Sequence, residues 1–391
     1  MPPGTPTIQN WRLIRASLAY GRVTALLYGW ARFSVITTGS IALLSFVFGD
    51  YANRVIPLGA HGPALWAVVA VVAGTTLNAV GIRSSSRLQN ILTVLEIGGL
   101  LLAVAAALWL AANGQGGTAG EARAPVDHVE LRGLGFAMVF VLLTYGGWNE
   151  AAFVSAELES RVSMVRSLVL AVSIITALYL LVNWACWYGL GLTGMASSNA
   201  VAADLMRRAF GPTGETLLAL AVAIAALTSI NPTMAVGARS AHALACDWLP
   251  KSRLAQWDMK RGTPVAAVIL QGIFALALVG VGSRAGEGFV AMVEYTAPVF
   301  WLFMTLAAGS LFILRRRSGV RVTAYRVPLF PVLPAVFCLS CAYMLWSSLT
   351  YVGSQSLGGI NAGWIGVAVL GSGGLLLALL RVAEPGAARR V

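Results

Sequence analysis

FVLLTYGGWNEAAFVSAE, spanning Phe140–Glu157, lies inside a long apolar segment, yet its centre is ill-suited to an unbroken helix. Gly146 and Gly147 each lower helix stability by about 1 kcal/mol relative to alanine. Thr144, Tyr145, Trp148 and Asn149 crowd hydrogen-bonding groups around that weak point. Non-helical backbone at membrane depth survives only where protein or a watery cavity satisfies its N–H and C=O groups. Interrupted helices of this kind hold small polar substrates in many secondary transporters. The alternative is a continuous helix whose glycine pair packs against a neighbour. The stretch alone leaves both open.

The rest of the chain reads as membrane protein. Its 391 residues are 58% hydrophobic and 11% charged, against roughly 25% charged in a soluble domain. The mean hydropathy is +0.77, and 42 glycines permit close helix contacts. A net charge of +12 would suit nucleic acid only if it formed a basic patch on a soluble domain. Here the basic residues fall between apolar runs, so no nucleic-acid partner is expected and the lipid bilayer is. Cys186, Cys246, Cys338 and Cys341 form no framework, and the Cys338/Cys341 spacing lacks a second ligand pair. No metal or other cofactor is expected. The N-terminal MPPGTPTIQN is polar, with no apolar core of a cleavable signal peptide.

Ten segments have membrane length: about Val23–Phe48, Pro63–Ile82, Leu88–Ala112, Gly133–Phe153, Leu168–Leu190, Glu215–Gly237, Pro264–Gly282, Phe289–Leu314, Val327–Tyr351 and Ile360–Leu380. The connections between them alternate in charge, with 20 basic residues on one side against six on the other. The positive-inside rule then places both termini in the cytoplasm. Arg32 lies within the first segment near its cytoplasmic end, where it can snorkel. The expected organisation is a cytoplasmic segment at residues 1–22, a transmembrane domain at 23–380 and a cytoplasmic tail at 381–391. The longest cytoplasmic connection, Arg239–Gly262, offers an amphipathic helix in its first half that would lie on the membrane surface. His242, Cys246 and Asp247 have ligand-like spacing there, without further ligands nearby. Neither a nucleotide-binding GxxxxGK[ST] nor a hydrolase GxSxG or HExxH occurs, which disfavours ATP-driven transport and intramembrane hydrolysis. The chain does not read as an enzyme.

Four stretches in order carry a family resemblance. TYGGWNEAAFVSAEL (Thr144–Leu158) resembles the sixth transmembrane helix of amino acid permeases. YGRVTALLYGWARF (Tyr20–Phe33) resembles the entry to their third helix, and LNAVGIRSSSRLQNILTVLE (Leu77–Glu96) their fourth-to-fifth connection. SINPTMAVGARSAHALACDWLP (Ser229–Pro250) resembles the end of their eighth. The family is the amino acid–polyamine–organocation superfamily, and the L-type amino acid transporters with their bacterial relatives are the most similar branch. The resemblance runs from about Ala19 to the last segment.

It implies an all-α integral membrane protein with the inverted-repeat (APC/LeuT-like) secondary-transporter fold. It also implies transport of amino acids by uniport, exchange or proton coupling, with protons as a potential second partner. The family usually has twelve helices, and these ten match the third to the twelfth, so the reading is of an N-terminally truncated fold with MPPGTPTIQNWRLIR in place of two helices. The family's first helix is its other broken helix and supplies backbone donors to the substrate carboxylate. Each lost partner would cost roughly 1–3 kcal/mol, so weak binding of amino acids by this chain alone, or none, is the expectation. The alternative is a transport-inactive permease remnant or a membrane partner protein.

The expected substrate-binding residues are Leu143, Thr144, Tyr145, Gly146, Gly147, Trp148 and Asn149. Cavity or coupling candidates follow from polar chemistry inside apolar helices. Glu96 stands where related sequences often carry lysine, and it is either a coupling carboxylate or an interfacial one reaching Arg83 or Arg87. Glu150 lies deeper, just past the glycine pair. Thr37 and Ser40 sit mid-segment in the first span, and Ser229 and Asn231 precede Pro232 in the sixth. Proline removes a donor and frees a carbonyl there, which ranks Asn231–Pro232 second to the glycine pair. Isolated Ser and Thr residues in such helices more often bond the preceding turn.

Overall fold

The computed structural model describes residues 19–81, 86–115, 131–147, 161–284, 287–317, 329–354, 365 and 368–375. Among them the chain is helical throughout, with one isolated bridge between Asp258 and Thr263 as its only β-type pairing. In order the helices are α1 (Arg22–Ala31), α2 (Thr38–Val55), α3 (Gly62–Val80), α4 (Ser86–Ala112) and α5 (Leu131–Thr144). They continue with α6 (Arg161–Ala196), α7 (Val201–Trp248), α8 (Val265–Gly282), α9 (Gly288–Arg317) and α10 (Val332–Ser354). A π-helical turn, Arg32–Thr37, joins α1 to α2 into one membrane-length rod, Val23–Val55.

Among the described residues eight helices are long and apolar enough to cross a membrane, and each coincides with one of the ten expected segments. The fourth segment is described as α5 only as far as Thr144, and the tenth only by residues 365 and 368–375. The protein is an integral, multi-pass, all-α membrane protein.

The α1–α2 rod is the hub of the bundle: α3, α7, α8 and α9 all pack against it. Phe33, Ile41 and Phe46 of the rod meet Val71, Ile230, Met234, Val268 and Met292 in the main core cluster. A second cluster joins α4, α6 and α7 through Leu110, Cys186 and Leu205. A third, Val139, Trp301, Cys341 and Met344, ties α5 to α9 and α10. Lipid gives helices no hydrophobic reason to associate, so small residues that let backbones approach closely must do more of the work. Gly49 shows this: a Cβ there would fall 2.1 Å from the Pro63 carbonyl oxygen at the start of α3. No larger residue fits without separating the two helices.

Two helices depart from the expected outlines. α7 runs from Val201 to Trp248 with a bend at Gly211 (φ +70°), well beyond the anticipated Glu215–Gly237 on both sides. Its C-terminal part also corrects the expectation of a surface-lying helix at the start of the Arg239–Gly262 connection. Residues from Arg239 to Trp248 continue α7 directly, because no glycine or proline interrupts them before Pro250. α6 likewise bends at Gly191 (φ +71°). Trp184 and Tyr188 stack just before the bend, with ring centroids 5.6 Å apart.

Candidate functional site

α5 stops at Thr144, and Tyr145–Gly147 form a turn. The stop follows from the residues. Gly147 adopts φ +97°, a left-handed conformation that side-chain-bearing residues rarely take. The Gly146 N–H donates to the Leu143 carbonyl at 2.9 Å, a three-residue closure that tightens the last turn. Thr144 turns its hydroxyl back to the Val141 carbonyl at 2.6 Å. The Thr144 carbonyl accepts the Tyr179 phenol of α6 at 2.9 Å. The Tyr145 ring stands edge-on to Tyr179, with centroids 5.4 Å apart. Tyr179 therefore holds the end of α5 through both a hydrogen bond and a ring contact. Sequence reading missed it, because a tyrosine in an apolar helix carries no signal of what its hydroxyl will meet. Trp148, Asn149 and Glu150 lie outside the described residues.

Of the remaining candidates, Thr37 lies where α7 crosses the α1–α2 rod. Thr37 closes the π turn and is buried beside Gly237, where a Cβ would come within 2.5 Å of its methyl group. Ser40 donates to the Ile36 carbonyl at 2.8 Å, the local back-bonding expected of an isolated serine. Thr38 does likewise to Phe33, satisfying a carbonyl in the π turn, and the Tyr295 phenol donates to the Ser34 carbonyl at 3.4 Å. Ser229 is engaged through its carbonyl, which accepts the Thr233 hydroxyl at 2.8 Å.

Asn231 has a partner the sequence did not indicate. The amide nitrogen of buried Asn78, on α3, donates to the Asn231 side-chain oxygen at 2.6 Å and to the Gly74 carbonyl at 2.9 Å. The kink-prone Asn231–Pro232 step is thus tied to α3. Gln271 of α8 is fully buried against Gly237, and neither of its amide atoms has a hydrogen-bond partner among the described residues.

Glu96 is half-buried on α4 and faces the Thr228 hydroxyl of α7. Arg83 and the side chain of Arg87 lie outside the described residues. Glu294 is enclosed within the bundle, 6% exposed.

A charged cluster forms at the far end of the rod. Arg54 lies 3.2 Å from Asp204 and 3.3 Å from Glu215, and Arg207 reaches Glu215 at 3.6 Å. Asp204 and Glu215 flank the Gly211 bend, so Arg54 bridges the two arms of α7. Among the described residues no group of three or more histidine, cysteine or carboxylate side chains could hold a metal. His242 and Cys246 do approach each other at 3.6 Å.

A family model described as amino acid permease matches residues 13–371. Among curated proteins, the human "b(0,+)-type amino acid transporter 1" is 24% identical over 333 residues, covering 84% of this chain and 66% of that protein. The human "Cystine/glutamate transporter" is 24% identical over 335 residues, covering 84% and 65%. The "Serine/threonine exchanger SteT" of Bacillus subtilis (strain 168) is 22% identical over 337 residues, covering 84% and 74%. The chain thus spans about two-thirds of the length of the human relatives.

Proposed function

We propose, from a chain that belongs to the amino acid permease family, that it carries out secondary transport of amino acids across a membrane. The observation that carries this reading is the end of α5, a helix stop inside an apolar segment with Gly146 and Gly147 exposed. Backbone groups of Leu143–Gly147 bind one polar end of a zwitterionic substrate. Tyr145 and Trp148 wall the site, and Asn149 adds a side-chain hydrogen bond. Short, directed backbone dipoles suit this task because they stabilise charge without bringing a competing charge into the bilayer.

Coupling enters through the α7 crossing. Glu96 facing Thr228 is a carboxylate that takes up or releases a proton as α7 shifts, if transport is proton-coupled. In an exchanger Glu96 is dispensable and a second amino acid provides the driving force. Thr37, Ser40, Ser229 and Asn231 are the further cavity candidates, and Glu150, outside the described residues, is a second coupling candidate. The bias of basic residues supports cytoplasmic termini, and the plasma (inner) membrane is the proposed location.

The test is uptake of radiolabelled neutral amino acids by the purified chain in proteoliposomes. Saturable uptake that excess unlabelled substrate suppresses supports transport. Its absence in folded protein, across neutral, acidic and basic amino acids, would favour a scaffold that serves as a membrane partner without transporting. Dependence on an imposed pH gradient, abolished by Glu96→Gln, separates proton coupling from exchange.

A further inference from the structure

We propose that the connection between α7 and α8 is a docking site for anionic phospholipid headgroups. This inference depends on the chain being embedded in a membrane and is independent of transport.

The connection is short, ordered and braced. A turn at Ser252 leads into a 3-10 segment, Arg253–Ala255. His242 of α7 has its Nδ1 3.0 Å from the Leu254 carbonyl, so that nitrogen carries the proton and donates. The Trp257 ring stands edge-on to His242, with centroids 5.3 Å apart. Beyond it the chain makes a tight tip. One Asp258 carboxylate oxygen accepts the Lys260 and Arg261 N–H groups at 2.9 and 3.0 Å, and the Gly262 N–H closes on the Asp258 carbonyl at 2.8 Å. The tip rests on α3, where a Cβ on Gly81 would fall 2.2 Å from the Arg261 carbonyl oxygen.

Height in the membrane follows from these anchors. α3 ends its apolar run at Val80 and α8 begins its own at Val265. The tip joins both ends, so it sits at the bilayer boundary. Met259 is 85% exposed and Trp257 37% exposed there, an arrangement that water disfavours and a headgroup layer accommodates.

Charge selects the lipid. Residues 249–264 carry Lys251, Arg253, Lys260 and Arg261 against one acid, Asp258. That acid is already engaged by two backbone amides and by the Arg261 guanidinium at 3.7 Å. Lys251, Arg253 and Lys260 are exposed and make no ion pair among the described residues. Unpaired cations beside exposed apolar side chains, fixed at a bilayer boundary, match a phosphate with acyl chains attached better than a soluble anion.

The experiment follows the thermal unfolding midpoint of the full chain in neutral detergent while dioleoylphosphatidylglycerol is added. Dioleoylphosphatidylcholine and inorganic phosphate form the other two arms. The phosphatidylglycerol arm alone should raise the midpoint. Lys251→Gln/Arg253→Gln/Lys260→Gln should raise the half-saturating concentration on the order of a hundredfold, about fivefold per cation. Its lipid-free midpoint should match the parent, since those exposed side chains have no ion-pair partner to lose among the described residues. Lys251→Arg/Lys260→Arg should bind as the parent does, and so should Arg284→Gln, a cation outside the site. Equal shifts with phosphatidylcholine, reproduction of the shift by phosphate, or undiminished binding by the triple variant would overturn the proposal.

Discussion

The Tyr179 phenol donates to the Thr144 carbonyl across 2.9 Å, linking the last turn of α5 to the middle of α6. One hydrogen bond therefore occupies an acceptor at the point where the α5 helix stops. Tyr179→Phe keeps the ring contact with Tyr145 and removes only this bond, at a cost of about 0.5–1.5 kcal/mol. The expected outcome is a lower unfolding midpoint. If the stop forms the substrate site, KM for uptake should also change. Tyr145→Phe serves as the comparison and should leave the midpoint closer to that of the parent.

Asn78 and Asn231 should behave as a coupled pair. Asn78→Ala takes the amide donor from the Asn231 side-chain oxygen, costing roughly 1–3 kcal/mol, whereas Asn231→Ala leaves the Asn78 amide its Gly74 bond and costs about 0.5–1.5 kcal/mol. The double substitution should cost less than the sum of the two. A coupling energy of about 0.5–3 kcal/mol in a double-mutant cycle, read by thermal unfolding in detergent, is the expectation. Strict additivity would show that the contact carries no energy.

Arg54 should matter more than its partial exposure indicates, because it neutralises Asp204 and Glu215, and the Glu215 side chain is 11% exposed. Arg54→Ala should destabilise by about 1–3 kcal/mol, less than for a fully buried pair because solvent reaches Arg54. Combining it with Glu215→Gln should recover part of the loss. High salt should weaken the Arg54→Ala effect only modestly if burial dominates.

Orientation is testable apart from chemistry. Reporter fusions after Ala119 and after Leu254 should report opposite sides of the membrane, with the second cytoplasmic. Equal signals from both would remove the charge-based topology.

Helix positions were legible in the sequence because membrane length and apolarity leave a coarse, robust signal. Val265–Gly282 was placed to within a residue for that reason. α7 was not, since its C-terminal extension mixes alanines with polar residues and has no apolar length to mark it. The glycine pair pointed to the α5 stop directly, because Gly147 needs a backbone angle other residues avoid. Partners across the bundle were illegible. Asn78 for Asn231, Thr228 for Glu96 and Tyr179 for Thr144 each depend on helix rotation, which one sequence without its fold does not specify.

The most direct test of the central claim compares three chains in the same proteoliposome uptake assay: the parent, Gly147→Leu and Gly98→Ala. Gly147 has open space around it but a φ of +97°, so leucine there strains the backbone at the α5 stop. Gly98 sits in a regular helix with nothing within 4 Å of an added Cβ, so alanine there is a neutral control. Saturable amino acid uptake by the parent and Gly98→Ala, lost in a folded Gly147→Leu, is the predicted result. Uptake by Gly147→Leu with the parent's KM and maximal rate would contradict the assignment of the α5 stop as the substrate site.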